Sequence, residues 1–166
     1  MKRFFSSMVA LMMAFAIIGC GGGDKEVGTT PGTTEIASGT LFEGEYMTFT
    51  HSNDWKIAEN TQNKMINMEK RTPAGTLYIL VKAEKDNWRT AEEAVSAFAD
   101  NYGGSPAELI NYGGYDFYQT TFEHGGAQTM LVTKIDDNKV TITLQGKDHD
   151  NDSSITNILN SIELNF

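Results

Sequence analysis

Beyond residue 20 this 166-residue chain has no cysteine. That excludes disulfides, thiol nucleophiles, CxxC redox chemistry and thiolate zinc sites from everything that follows, so stability there rests on an ordinary hydrophobic core. Histidine is nearly as scarce. His51, His124 and His149 are the only imidazoles, and their separations match no metal-ligand spacing. No HExxH, GxSxG, GxxxxGK[ST] or GxGxxG occurs beyond residue 20. Ser105 stands in Gly-Gly-Ser-Pro, where Pro106 marks a helix stop. An apolar run of the roughly 20 residues needed to cross a bilayer is also missing. The longest candidate, Phe4 to Gly19, is shorter and contains Ser6 and Ser7. Positive charge is short as well: 13 Lys and Arg stand against 22 Asp and Glu, a net charge of −9. Such a surface repels phosphate backbones, so a nucleic-acid partner is not expected.

What is present begins with Lys2-Arg3, an apolar stretch from Met8 to Ile18, and a small residue directly before the lone cysteine. A cationic start, a short apolar region and a small-residue cleavage site make a secretory signal peptide. Ile17-Ile18-Gly19-Cys20 resembles the lipobox of bacterial lipoproteins. The resemblance implies cleavage after residue 19 and acyl chains such as palmitate on Cys20. With two or more chains, attachment is stable, whereas a single chain holds only marginally. Loss of Lys2 and Arg3 leaves 11 basic against 22 acidic side chains, a net charge of −11. That surface gives no help with anionic headgroups, so the anchor holds the membrane alone. The expected location is the extracytoplasmic face of a bacterial membrane: outer membrane or periplasm in a Gram-negative cell, cell surface in a Gram-positive one. Gly21 lacks the aspartate that the lipoprotein family uses for inner-membrane retention, which permits an outer-membrane site.

Residues 20–44 are rich in Gly, Thr and small residues and read as the lipidated cysteine plus a flexible tether, with a reach of about 25–30 Å. Residues 45–166 read as one domain. Tyr46–Thr50 alternates as a strand, Ser52-Asn53-Asp54 turns, and Trp55–Ile57 returns. Residues 64–69 and 76–82 are strands joined by a turn over residues 71–75. Thr90, three residues before Glu93, opens a helix as a capping box; Ala94, Val95, Phe98 and Tyr102 follow at helical spacing, and Gly103-Gly104 closes it. Residues 108–112 form a short strand. Residues 115–124, 127–135 and 139–145 form an antiparallel meander with hairpin residues Gly125-Gly126 and Asp136-Asp137-Asn138. Ile155, Ile158, Leu159 and Ile162 make one apolar helical face over 153–162, with Asp152 or Ser153 as N-cap. Two amphipathic helices and a largely antiparallel sheet give an α+β domain.

This order is similar to that of the PsbP-like superfamily. The features that carry the likeness are an aromatic strand running into a turn and Trp55, the helix at 90–102, Gly113-Gly114-Tyr115 entering the meander, and a last helix ending in Ser161-Ile162. The resemblance implies an α/β/α sandwich and a binding or assembly role, and it carries no ligand residue across. The leading expectation is a lipid-anchored, non-enzymatic envelope protein, monomeric and without cofactor or metal, that binds a protein or small ligand. A small hydrolase using carboxylates or a His-bound metal is the rival, and a structural lipoprotein without a ligand the third reading. Candidate contact residues are Trp55, Trp88, Tyr112 and Tyr115. For Trp88 a staple packed onto the following helix is the favoured role and an exposed recognition residue the other. The histidines are expected on surface loops. Asp148-His149-Asp150-Asn151-Asp152 lacks the Gly and Glu of a calcium loop, so its acids are expected to serve the following helix N-terminus.

Overall fold

The computed structural model describes residues 39–166; the expected signal peptide, Cys20 and most of the expected tether lie outside them. Ten strands and two α-helices follow: β1 Thr40–Glu43, β2 Met47–His51, β3 Trp55–Asn60, β4 Met65–Thr72, β5 Gly75–Lys85, α1 Ala91–Tyr102, β6 Glu108–Tyr112, β7 Tyr115–Glu123, β8 Ala127–Ile135, β9 Asn138–Gln145, a 3-10 turn His149–Asn151, α2 Ser153–Asn160 and β10 Glu163–Leu164. Seven strands form one sheet in the order β3-β4-β5-β9-β8-β7-β6, and β1-β2-β10 form a second. Every pairing is antiparallel. The α+β class stands, with a helix on each face of the large sheet.

Alternation along the strands builds the two cores. On one face, Trp55, Met68, Ile79, Ile142 and Phe117 are buried with Ile155, Ile158 and Leu159 of α2 and with Met47 and Phe49 of β2. At 25 cal/mol per Å², each such side chain is worth roughly 1.5–3 kcal/mol. On the other face, Phe122, Met130 and Val132 pack with Val95, Ala94 and Phe98 of α1. Tyr118 and Phe122 point to α1 while Phe117 points to α2, as period-two geometry requires. The helix α1 has its capping box: Thr90 accepts from the Glu93 amide at 3.1 Å and Glu93 accepts from the Thr90 amide at 2.8 Å. It ends where Gly103 turns left-handed at φ 66°.

Several expectations change. The domain begins before residue 45, because β1 lies inside the stretch read as tether; Phe42 supplies the reason, stacking on Phe49 across the β1–β2 pair at 4.9 Å. The strand read at 46–50 does not join its neighbour Trp55–Asn60 but pairs with β1 and β10 in the small sheet. The expected turn over 71–75 shrinks to Pro73-Ala74, since the ladder runs to Thr72 and Gly75. The last helix stops at Asn160, two residues early: the Ser161 hydroxyl takes the Thr50 amide at 2.9 Å and diverts the chain into β10.

Strand registers set what lies at each end of the large sheet. The Glu123–Ala127 hairpin, the C-terminus of α1 and the Ser52–Asp54 turn share one end with Thr40, where the described chain begins. The Gly113-Gly114 and Asp136-Asp137 hairpins and the loop before α1 occupy the other, where Lys134 donates to the Arg89 carbonyl.

Candidate ligand pocket and comparisons

Of the four aromatic residues singled out from sequence, three are structural. Trp55 is 4% exposed, its indole N–H donating to Ser154 Oγ at 3.1 Å, so it is core and not a contact surface. Tyr112 packs edge-on against Phe117 with ring centroids 6.4 Å apart, and burial pushes its phenol up from the usual range. Tyr115 accepts the Leu164 amide at 3.1 Å and anchors β10. Trp88 alone is open, 70% exposed, which overturns the staple reading. The cause is Asp86, whose carboxylate accepts the amides of Trp88 and Arg89 at 3.3 Å each and is pinned by Lys139 at 3.0 Å. The loop therefore turns outward, and the Arg89 guanidinium sits 3.9 Å over the indole.

Two ionic clusters are spent on this architecture. Lys70 Nζ lies 3.2 Å from both Asp54 and Asp152 and 2.9 Å from Ser154 Oγ. A serine beside a lysine is a nucleophile–base pair in form. Here burial of Lys70 is outweighed by its Asp152 and Asp54 partners, which raise it above 10.5, so it stays charged and takes no proton from Ser154. Ser154 donates to Asp152. The cluster ties the α2 N-terminus to β4, with Asp152 as N-cap. Lys139 likewise joins Glu84 at 2.8 Å and Asp86 at 3.0 Å. Its hydrogen bond is the chief reason the Asp86 carboxyl titrates below the usual range.

The histidines are engaged separately. His51 Nδ1 meets the Ser52 carbonyl, and His124 lies edge-on to Tyr102 with centroids 5.7 Å apart. His149 is not on a surface loop: it is 4% exposed, with Nδ1 donating to the Gly146 carbonyl at 2.9 Å and Nε2 facing Thr129 Oγ1 at 2.8 Å. Among the described residues no three His, Cys, Asp or Glu side chains are placed to hold a metal.

Two open depressions stand out among the described residues. Helix α1 covers β7 and β8, and the same face over β3, β4 and β5 is open. There Lys56, Ala58, Asn67, Glu69, Tyr78 and Leu80 line a shallow hollow of about 350 Å³. The second, about 440 Å³, lies at the end of the molecule nearest Thr40. Tyr102, Phe122, Glu123, Gln128, Thr129 and Asp150 line it together with His149. Tyr102 stacks on Phe98 at 4.3 Å and keeps 48% of its surface exposed. Thr129 and His149 fix each other in the wall. A concave volume lined by an aromatic residue and polar residues is where a small ligand would be sought first. The sequence gives no sign of it: Tyr102 falls at helical spacing with Ala94, Val95 and Phe98, and no spacing joins it to the hairpin residues.

No family model matches the chain, and no curated protein matches it in sequence. Among solved structures, its fold is similar to that of a protein from Bacteroides thetaiotaomicron VPI-5482, with a TM-score of 0.51 and 15% identity over 77% of this chain and 49% of that one. The chain thus spans about half the length of that protein, and the likeness bears on fold alone. Cyanobacterial PsbP (CyanoP) from Synechocystis sp. PCC 6803 superimposes with a TM-score of 0.48 at 16% identity, over 82% of this chain and 98% of that one. LpqN of Mycobacterium tuberculosis, involved in cell envelope biogenesis, gives 0.44 at 13%, over 76% and 85%. At those scores neither carries an argument about this chain.

Proposed function

We propose that this is a lipid-anchored, non-enzymatic envelope protein that binds a small ligand in the pocket between the C-terminus of α1 and the β7–β8 hairpin. One observation carries the reading. The basic–acidic clusters and the buried histidine are consumed by internal bonds, while Tyr102 beside this hollow keeps its ring half exposed. The lysine–carboxylate clusters and His149 are thus held in the scaffold, and the open surface is suited to contact. The anchor rests on Ile17-Ile18-Gly19-Cys20 after a cationic start and a short apolar stretch.

The test uses the full chain expressed in bacteria with radiolabelled palmitate. Wild type is expected to take label and fractionate with membranes, and Cys20→Ser to do neither. Native mass spectrometry of the detergent-extracted protein is expected to show a retained small molecule that Ala127→Trp, which fills the pocket, releases. Unchanged labelling in Cys20→Ser would remove the anchor; the same bound species in Ala127→Trp would remove the pocket.

A further inference from the structure

The half of the large sheet that α1 leaves uncovered carries a second surface, independent of the Tyr102 hollow. Strand registers lay out its residues. One row across β3, β4, β5 and β9 holds Lys56, Glu69, Tyr78 and Gln145, and the next holds Ala58, Asn67, Leu80 and Thr143. Thr143 pairs with Met130, which packs under α1, so period-two geometry puts both rows on the α1 face. Tyr78 is central in this layout. Glu69 and Gln145 stand directly opposite it on the two neighbouring strands, about 5 Å away between Cβ atoms, with Asn67 and Thr143 on its diagonals at about 7–8 Å. The small Ala58 side chain on the edge strand leaves the surface low beside Asn67 and Leu80, which makes the hollow of about 350 Å³.

Charge and hydrogen-bonding capacity narrow the occupant. In a chain of net charge −9, this hollow is neutral, lined by one cation, Lys56, and one anion, Glu69. Two ion pairs of the same face, Lys82–Glu84 at 2.7 Å and Lys139–Glu84 at 2.8 Å, lie beyond the two rows. Arg71 alone reaches in, 3.7 Å from Glu69 and itself exposed. Among the described residues, Lys56, Asn67, Tyr78, Thr143 and Gln145 are spent on no side-chain ion pair or hydrogen bond, unlike the lysine–carboxylate clusters of the scaffold. A polyanion or an acidic headgroup requires a basic excess that is missing here. A protein partner requires a desolvated apolar centre, and one leucine beside one ring does not supply it. An acyl chain would leave the amides and hydroxyls unpaired. The chemistry that fits is an uncharged molecule covered in hydroxyls with an apolar C–H face, which describes a sugar ring. Tyr78, 45% exposed, offers a flat ring to that face, and the side chains of Asn67, Gln145 and Thr143 offer donors and acceptors together.

We propose that the open face of β3, β4, β5 and β9 binds an uncharged glycan chain, stacked on Tyr78 and hydrogen-bonded by Asn67, Thr143 and Gln145.

The experiment is an amide NMR titration of the full-length lipidated protein in dodecylphosphocholine micelles, a detergent that contains no sugar. Chitotetraose, cellotetraose and maltotetraose are the probes, and tetragalacturonic acid is the anionic control. At least one neutral probe is expected to shift the amides of Asn67, Tyr78 and Thr143, and the control to leave them in place. Tyr78→Ala should weaken that probe roughly 3- to 10-fold, whereas Tyr78→Phe, which keeps the ring, should retain most of the affinity. Asn67→Ala and Gln145→Ala should each weaken it about 2- to 10-fold, with the rest of the spectrum unchanged as the check on folding. Trp88→Ala, which removes an exposed ring elsewhere, should bind as wild type does. Shifts confined to Tyr102 and Gln128 would move the sugar to the other hollow and overturn the assignment. Shifts of the Asn67 and Tyr78 amides with protein concentration alone would overturn it in favour of a second copy on this face. No shift with any neutral probe at about 20 mM, an unchanged affinity in Tyr78→Ala, or an equal response to the anionic control would also overturn it.

Discussion

Two tryptophans that look alike in sequence end in opposite surroundings. Each follows a short polar run, Ser52-Asn53-Asp54 before Trp55 and Lys85-Asp86-Asn87 before Trp88. Trp55 starts a strand whose odd positions face α2, so its ring is buried. Trp88 follows an aspartate whose two backbone acceptances throw it outward. Nothing local distinguishes them; which face of a sheet a strand turns inward is a tertiary matter. A glycine shows the same dependence. Gly113 and Gly114 form the β6–β7 turn, both at positive φ, at 59° and 83°. A Cβ at Gly113 would stand 2.8 Å from the Ile162 carbonyl, whereas one at Gly114 meets nothing within 4 Å. Gly113→Ala is therefore expected to cost about 1–3 kcal/mol from strain plus that clash, and Gly114→Ala the strain alone. Urea unfolding of the two variants checks the order; equal losses would show that the hairpin does not press on the end of α2.

At the scale of elements, the question is what fastens α2 to the sheet. Hydrophobic contact through Ile155, Ile158 and Leu159 supplies most of it, and the Lys70 cluster fixes the helix start. The pH response follows from that cluster. Burial works against the Asp152 carboxylate, but Ser154 and Lys70 together hold it below 3.8. Ser52 first and Lys70 after it lower Asp54, which is half exposed and so contributes little. A depressed folded value means stability present above the unfolded value and lost as pH falls through the folded one. Lys70, raised above 10.5, contributes at every pH below that and loses its share only as pH climbs past its folded value. Lys70→Met, which keeps the stem over Trp55 without the charge, is expected to lower stability near neutrality. It should also flatten the decline between about pH 5 and pH 2 seen in wild type. Chemical unfolding across that range measures it, and parallel wild-type and variant profiles would show the cluster to be idle.

On the scale of the whole molecule, the described domain starts with β1 and not at residue 45. Removing residues 39–44 takes away the Phe42–Phe49 stack and the ladder that shields one edge of β2. A chain shortened to begin at residue 45 is expected to melt several degrees below one beginning at 39, because about 1–2 kcal/mol in a domain of this size moves the midpoint by that much. Calorimetry of the two chains decides it; equal midpoints would return β1 to the tether. The arrangement also separates two exposed aromatic features. The Tyr102 pocket lies at the end of the large sheet that holds the Glu123–Ala127 hairpin, and Trp88 at the other, so contacts through the two would use opposite ends of the domain.

Sequence alone determined what depends on neighbours along the chain. The capping box at Thr90, the meander, the apolar face of α2 and the α+β class all came from short-range periodicity and turn chemistry, and each stands in the structure. Tertiary structure decided what depends on pairing between distant segments: that β2 joins β1 and β10, that Trp55 is buried and Trp88 is not, and that Tyr102 meets a hairpin some twenty-five residues away. The physical reason is that a strand or helix declares its own period in its residues, but the partner that covers each face is chosen by the packing of the entire core.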